Sequence, residues 1–194
     1  MYSIPTYVDI DGTQFHIRNN GDYRMVLDCF SALNDAELNT DERLLASLII
    51  FYEDISDIED LSKFESIETA VKKMFDFFNC GSDNSGAKSV PYKLVDWDGD
   101  SQLICSAINK VANTEIRALD YLHWWTFMGY YSAIGECPLS TIVDIRDKIM
   151  RGKKLEKYER EYRQNNPQYF IWNNKTLEQE EADRLIKELW NGGE

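Results

Sequence analysis

Apolar and polar residues alternate from Val8 to Arg18 around Asp11-Gly12, the residue pair typical of a two-residue hairpin turn. Pairing about that turn sets three opposed pairs on one face: Thr6 with Ile17, Val8 with Phe15, and Ile10 with Thr13. The other face is polar. Because a lone hairpin is marginal in water, we expect the apolar face to pack on helices or to pair with another sheet.

From Tyr23 onward the apolar residues recur every three or four positions, which is the spacing of amphipathic helices. The predicted apolar stripes cover residues 23–33, 44–52, 64–78, 97–111, about 119–134 and 142–149. The second is preceded by a helix cap at Thr40, the third ends near Gly81, and the last follows Pro138. The stripe at about 119–134 is the aromatic helix. Near the end, Thr176 and Gln179 form a capping box before Leu185, Ile186, Leu189 and Trp190. The sequence therefore predicts a mainly α-helical fold with a small N-terminal antiparallel β-hairpin.

The length of 194 residues is enough for one domain with a full core, so we expect residues 1–194 to form a single domain. Hydrophobic residues make up 43% of the chain and aromatic residues 13%, which is typical of a globular protein. The polar, glycine-containing loop at 81–91 is where a subdomain boundary would fall. We treat residues 165–194 as a C-terminal extension carrying one helix.

Membrane insertion and secretion are not expected. No apolar run approaches the length that crosses a bilayer, and the first residues lack the basic and apolar regions of a secretory signal. The scattered cysteines Cys29, Cys80, Cys105 and Cys137 are typical of reduced thiols in a cytoplasm. We therefore expect a cytoplasmic protein with no membrane partner.

The net negative charge is concentrated in the N-terminal half of the chain. Residues 1–100 carry 20 acidic and 8 basic side chains, a net charge of −12 out of −13 for the whole chain. This argues against a nucleic-acid partner. By contrast, residues 146–163 hold 8 basic and 4 acidic side chains on a sparse helical stripe of Leu155, Tyr158 and Tyr162. This segment is either a solvated helix with internal charge pairs or a binding site for an acidic partner. Such a partner could be the acidic residues 1–100 of another copy of the chain.

Three alternating carboxylates, Asp96, Asp98 and Asp100, resemble the start of a calcium-binding loop. The later positions do not fit, because glycine stands at position four and Ala107 at position twelve. The alternative is that Asp96 caps a helix whose first turn holds Asp98 and Asp100. We favour the cap and expect no bound metal.

The two histidines, His16 and His123, show no spacing to cysteine or carboxylate that resembles a zinc site. Between aromatic neighbours, His123 is interpreted as a partly buried structural histidine, and the alternative is a general base or a pH-sensitive group. The sequence has no glycine-rich phosphate loop and no nucleophile elbow. We expect a non-enzymatic protein without a cofactor.

The aromatic helix carries large apolar groups on more than one side. Leu122, Trp125, Met128 and Gly129 share one face, while Tyr121, Trp124 and Tyr131 lean to another with Phe127 between them. This favours a central core helix, and the alternative is an open edge that anchors a partner. We predict that Trp125 is core and that Trp124 lies nearer a surface groove. The residues predicted to bind a partner are Tyr121, His123, Trp124, Phe127, Arg146, Lys153, Lys154 and Lys157.

The chain resembles the gene-product-fifteen family of small phage proteins over about residues 5–165. Three stretches carry the resemblance: Val8-Asp-Ile-Asp-Gly12 with Asp22-Tyr-Arg24; Val95-Asp-Trp-Asp-Gly-Asp100 leading into Leu103-Ile104; and Leu122-His-Trp-Trp-Thr-Phe127 followed by Leu139-Ser-Thr-Ile-Val-Asp-Ile-Arg146. Gly99 departs from the pattern, which has an acidic residue there.

That resemblance implies a product of the tail-gene region of phages of low-GC Gram-positive bacteria, encoded near the tail-tube and tape-measure genes. The implied function is a tail-assembly chaperone that binds the tape-measure or tail-tube protein in the host cytoplasm and is absent from the mature virion. An aromatic, acidic helical protein could shield the exposed apolar stripes of such a client. The alternatives are a structural component of the tail or connector, and an unrecognised enzyme using His123 with a carboxylate.

Overall fold

The computed structural model describes residues 3–82, 93–171 and 184–189. Its strands and helices are, in chain order, β1 (Tyr7–Ile10), β2 (Thr13–His16), α1 (Tyr23–Leu33), α2 (Thr40–Phe51), α3 (Ile67–Phe78), α4 (Ser101–Ala112), α5 (Trp124–Ser132), α6 (Pro138–Met150) and α7 (Lys157–Asn165), with 184–189 also helical. The predicted mainly α-helical fold with an N-terminal antiparallel hairpin is confirmed. Within the described ranges, no helix combines the length and apolar character needed to cross a bilayer.

The chain forms two compact units. Among the described residues, the first unit contains 3–82, 121–128 and 184–189, and the second contains 93–120 and 129–171. Helix α5 therefore contributes its first residues to the first unit and its last residues to the second. Most of the predicted loop at 81–91, and the predicted capping box at Thr176 and Gln179, lie outside the described residues.

The hairpin has the predicted register, with Val8 opposite Phe15 and Ile10 opposite Thr13. Asp11 and Gly12 both take positive φ angles, 52° and 85°, as the two-residue turn requires. Beyond the strands, the Ile17 amide donates to the Thr6 carbonyl at 2.9 Å, which extends the predicted pairing. The apolar face packs on the segment that joins α2 to α3, where Phe15 lies against the rings of Tyr52 and Phe64.

Helices α1 and α2 pack closely through small side chains. The Ser47 hydroxyl donates to the Arg43 carbonyl at 2.8 Å and also lies 3.4 Å from the Cys29 carbonyl. The predicted cap at Thr40 is wrong by one residue. Asn39 accepts a hydrogen bond from the Glu42 amide while the Glu42 side chain accepts from the Asn39 amide, so Asn39 forms the capping box.

Helix α3 buries the predicted stripe against the rest of the first unit. Val71, Met74, Phe75 and Phe78 are all buried, and the Tyr52 hydroxyl donates to the Ala70 carbonyl at 2.8 Å. The N-terminal end of the helix lies later than predicted. Phe64 is buried but precedes the helix, and Ile67 at the first turn is 44% exposed.

In the second unit, the predicted cap at Asp96 is wrong. Helix α4 begins after Asp100, so Asp96 and Asp98 lie in the preceding turn. The Asp96 carboxylate accepts from the Asp98 amide at 3.3 Å, and the Asp100 carboxylate accepts from the Asp96 amide at 2.9 Å. These bonds close the turn and cap no helix.

The aromatic helix begins later than predicted. Residues Tyr121 to His123 are extended, because His123 bridges Asp22 and the Leu122 carbonyl accepts from the Tyr23 amide at 2.9 Å. The Asp22 carboxylate accepts from the Leu122 amide at 2.9 Å. These long-range bonds hold the segment in strand-like geometry, so the helix starts at Trp124.

Candidate partner-binding surfaces

Trp124 lies in the core of the first unit, and the predicted position near a surface groove is wrong. Its side chain is only 1% exposed, and its indole N–H donates to the Phe78 carbonyl at 3.0 Å. Phe127 stacks on it at 5.4 Å between ring centroids, and Phe30 meets it edge-on at 5.6 Å. Phe127 is itself 1% exposed, so neither predicted binding residue is available to a partner.

Trp125 is the less buried of the two tryptophans, the reverse of the prediction. Its ring is half-buried, and its indole N–H donates to the Phe77 carbonyl at 2.9 Å. The ring covers Gly81, where an added Cβ would lie 3.3 Å from it. The neighbouring indoles therefore bond to successive carbonyls at the end of α3, and only one of them reaches the surface.

His123 caps the aromatic helix from inside the core. Its Nδ1 accepts from the Trp125 amide at 3.0 Å, which leaves the ring proton on Nε2 to be donated to the Pro5 carbonyl at 3.0 Å. An added Cβ on Gly21 would lie 3.0 Å from Nε2, so the ring is closely packed. Because both ring nitrogens make structural bonds and the residue is 2% exposed, His123 offers no surface to a partner.

The buried neutral state of His123 predicts a pH-dependent stability. Burial lowers the His123 pKa below 6.5, opposed by the Pro5 carbonyl and the Asp22 charge. On acidification the unfolded chain therefore takes up the proton first. The stability that the neutral ring contributes is present above pH 6.5 and is lost as the pH falls through the folded-state pKa.

We expect urea unfolding between pH 7.5 and 5 to show this loss in the parent protein. His123→Asn keeps an acceptor at the helix cap but cannot titrate, so its stability should change less over the same range. His16→Asn removes the other histidine, which lies 3.6 Å from the Asp54 carboxylate, and so separates any contribution of that pair from the contribution of His123. An unchanged slope in His123→Asn would contradict this assignment.

Tyr121 is the one aromatic residue of the predicted set whose ring is open to solvent. It is 43% exposed, and its hydroxyl donates to the Asn20 carbonyl at 2.9 Å. The bond between His123 and Pro5 ties its segment to the N-terminal segment, where Ile4 is 44% exposed and Tyr7 is 48% exposed. We call Ile4, Tyr7 and Tyr121 the aromatic edge of the first unit.

Arg146 is buried in the second unit and is not a surface residue as predicted. Its guanidinium makes a bidentate pair with the Asp100 carboxylate, with N–O distances of 2.5 and 2.9 Å. It also donates to the Leu94 carbonyl at 2.8 Å and to the Tyr169 carbonyl at 2.7 and 2.9 Å. Burial together with these hydrogen bonds makes it a structural tie within this unit.

A second buried carboxylate fastens helix α7 to helix α6. Glu159 is 1% exposed and accepts from Lys148 at 2.5 Å, from the Glu156 amide at 2.7 Å and from the Tyr158 hydroxyl at 3.3 Å. The bond from Lys148, followed by that from the Glu156 amide, holds the Glu159 pKa below its usual range. Glu159 therefore fixes the start of α7 while remaining charged.

The turn between these helices presents a basic surface. Gly152 takes a φ of 64°, and the Lys153 amide donates to the Lys148 carbonyl at 2.8 Å, closing a tight helix end. Residues 150–160 hold five basic and two acidic side chains. The exposed side chains of this basic platform are Met150, Arg151, Lys153, Lys154, Glu156, Lys157, Tyr158 and Arg160.

The lysines predicted to bind a partner lie on this platform. Lys153, Lys154 and Lys157 are all exposed, as the hypothesis requires. No described carboxylate lies within ion-pair distance of Lys153 or Lys154, and the pair of Lys157 with Glu161 is 3.9 Å long and exposed. Tyr158, part of the sparse helical stripe in the sequence, is 62% exposed among them.

An acidic loop lies in the first unit between α2 and α3. Residues 53–65 hold six carboxylates and one lysine, a net charge of −5. Buried Ile55 and Leu61 anchor the loop. Between them Ile58 is 68% exposed, a feature that apolar periodicity did not reveal.

One cleft and the metal-binding potential of the described residues can be compared with known ligand sites. A cleft of about 160 Å³ in the second unit is lined by Leu103, Ser106, Ala107, Lys110, Glu136, Cys137 and Pro138. Ligand pockets are usually larger, at roughly 300–1,000 Å³. No group of three or more histidine, cysteine or acidic side chains in the described ranges could hold a metal ion.

Sequence reasoning missed the roles of Asp100 and Glu159. In the sequence Asp100 is one of three neighbouring carboxylates, and nothing in its spacing points to Arg146, which lies 46 positions further along the chain. Glu159 lies in a run of mixed charges that is typical of a solvated helix. Their burial is visible only in the folded structure.

Comparison with known proteins identifies the family. The family model described as Bacteriophage Gp15 protein matches residues 2–171, which is most of the 194-residue chain. No curated protein and no solved structure matches the chain. The predicted resemblance is confirmed, and the chain belongs to the Bacteriophage Gp15 protein family.

Proposed function

We propose that this phage protein is a non-enzymatic tail-assembly chaperone that binds the tape-measure or tail-tube protein before polymerisation. It would act in the cytoplasm of the bacterial host and would be absent from the mature virion. The observation that carries the proposal is the aromatic edge, three exposed residues with large apolar side chains in a chain of a bacteriophage family.

Two of the three residues of the aromatic edge are tyrosines, a residue type that suits contact with an apolar helix. Tyrosine supplies a large contact area with few rotatable bonds, so ordering it on binding costs little entropy. The Tyr121 hydroxyl is already bonded to the Asn20 carbonyl, which restrains the ring before a partner arrives. A tape measure is a long helical chain with exposed apolar stripes, and such stripes need cover until the tube forms around them.

The test is co-purification of the protein with the tape-measure and tail-tube proteins of its own phage, each expressed separately. We expect one of them to form a complex, and Tyr121→Ala with Tyr7→Ala to weaken it by at least about tenfold, since exposed aromatic anchors dominate such surfaces. Tyr121→Phe keeps the ring and should bind nearly as well. Ile67→Ala, at a similarly exposed apolar residue in the first turn of α3, is the control.

Binding to neither client would overturn the proposal. Mass spectrometry of purified virions tests its second part, because a chaperone leaves before the particle is complete. Stoichiometric amounts of the protein in finished virions would instead identify a structural component of the tail or connector.

A further inference from the structure

The basic platform and the acidic loop are two oppositely charged surfaces, and each lies wholly within one unit. The platform at 150–160 has a net charge of +3, and the loop at 53–65 has a net charge of −5. Each surface also exposes a large apolar side chain, Tyr158 at 62% and Ile58 at 68%. The basic platform and the acidic loop therefore each combine a net charge with an exposed apolar side chain.

The acidic loop is held rigid by its own hydrogen bonds. The Asp60 carboxylate accepts from the Ser56 amide at 2.9 Å, and the Asp57 carboxylate accepts from the Asp60 amide at 3.0 Å. Lys63 pairs with Asp60 at 2.7 Å and donates to the Asp54 carbonyl at 2.8 Å. Ile58 is therefore presented on a fixed turn, so little entropy is lost when it is covered.

The platform is comparably fixed. The helix end at Gly152 sets the path of the chain through Lys153, and buried Glu159 ties the first turn of α7 to Lys148. Tyr158 is bonded through its hydroxyl to the same carboxylate at 3.3 Å. The exposed lysines thus project from a backbone that is set before any partner binds.

We propose that the acidic loop of one copy of this chain docks on the basic platform of a second copy. Charge complementarity selects this occupant, because the excess negative charge of the loop matches the positive charge of the platform. Ile58 and Tyr158 supply the apolar contact at the centre, and the charged side chains form the rim.

The association is head-to-tail, because the two surfaces are different patches. Each copy that binds through its loop keeps a free platform, and its partner keeps a free loop. Repetition of one such contact builds a ring if the rotation closes and an open chain if it does not. This self-association uses surfaces distinct from the aromatic edge and does not depend on the proposed chaperone function.

Sedimentation velocity of the purified full chain tests the proposal. We expect concentration-dependent oligomers at low salt that dissociate as salt is raised, because exposed charges are screened within about 8–10 Å near physiological ionic strength. Lys153→Glu with Lys154→Glu should raise the dissociation constant at least about tenfold, which corresponds to about 1.4 kcal/mol. Lys72→Glu with Lys110→Glu makes the same charge change at exposed lysines elsewhere and should leave it unchanged.

Mixing variants of the two surfaces provides the decisive measurement of which surfaces associate. Glu53→Lys with Glu59→Lys lowers the net charge of the loop from −5 to −1 and should also weaken self-association, and it leaves the loop-closing carboxylates Asp57 and Asp60 in place. A mixture of this loop variant with the platform variant keeps one unaltered platform, on the first, and one unaltered loop, on the second, and should therefore form heterodimers that grow no further. A monomeric parent at low salt, or a mixture that stays monomeric, would overturn the proposal. Client binding through the aromatic edge should persist in both variants, so the two proposals can fail separately.

Discussion

Trp124→Ala should lower the free energy of unfolding by about 3–5 kcal/mol, the usual cost of removing a fully buried aromatic side chain. The substitution leaves a cavity beside Phe30 and Phe127, whose rings meet the indole at 5.6 and 5.4 Å. It also leaves the Phe78 carbonyl without the donor that lies 3.0 Å away. Urea unfolding followed by circular dichroism measures the loss.

Trp125→Ala is the matched comparison, because it deletes the same side chain one residue along. The half-buried ring of Trp125 leaves less apolar area to lose, so we expect a cost of about 1–2 kcal/mol. Trp124→Phe should fall between the two, since it keeps most of the buried volume. Equal losses for the two alanine variants would show that the difference in burial has no energetic weight.

The elements of the fold could be predicted where local pattern and tertiary packing agree. Alternation about Asp11-Gly12 fixes the hairpin register because a shift by one residue would turn Phe15 to solvent. The stripe through Val71 and Phe78 is long and strongly periodic, and α3 buries it as expected.

The predictions failed where long-range bonds override local spacing. Tyr121 to His123 continue the helical pattern of the aromatic stretch, but pairing with the distant Asp22 segment holds them extended. That shift in the start of the helix leaves Trp124 facing the core, while Trp125 covers Gly81 near the surface. A stripe that is apolar on several sides gives no sequence signal for which indole is buried.

Among the predicted binding residues, exposure could be foreseen only for the lysines. Long charged side chains such as Lys153 almost always stay in water, whatever the fold. Arg146 belongs to the same basic run, yet its carboxylate partner Asp100 precedes it by 46 positions. Single sequences do not reveal such pairings, so a surface role was assigned to a buried residue.

Arg146→Met should be the second strongly destabilising substitution, at about 3–5 kcal/mol. Methionine fills similar space but leaves the Asp100 carboxylate charged and buried, since Asp100 is only 1% exposed. The Leu94 and Tyr169 carbonyls lose their donors in the same step. Asp100→Leu should cost a comparable amount, because it leaves the guanidinium buried without its counter-charge.

The double variant separates the energetic cost of an unpaired buried charge from the cost of leaving two carbonyls without hydrogen-bond donors. With Arg146→Met and Asp100→Leu together, no uncompensated charge remains, and buried ion pairs can often be replaced by apolar groups at little cost. The Leu94 and Tyr169 carbonyls still lack donors, at about 1–3 kcal/mol each, so the double variant should regain only part of the loss. Asp147→Ala, which breaks the exposed pair with Arg151, should change stability by no more than about 1 kcal/mol. If each single variant cost as little as Asp147→Ala, the buried pair would not tie the second unit together.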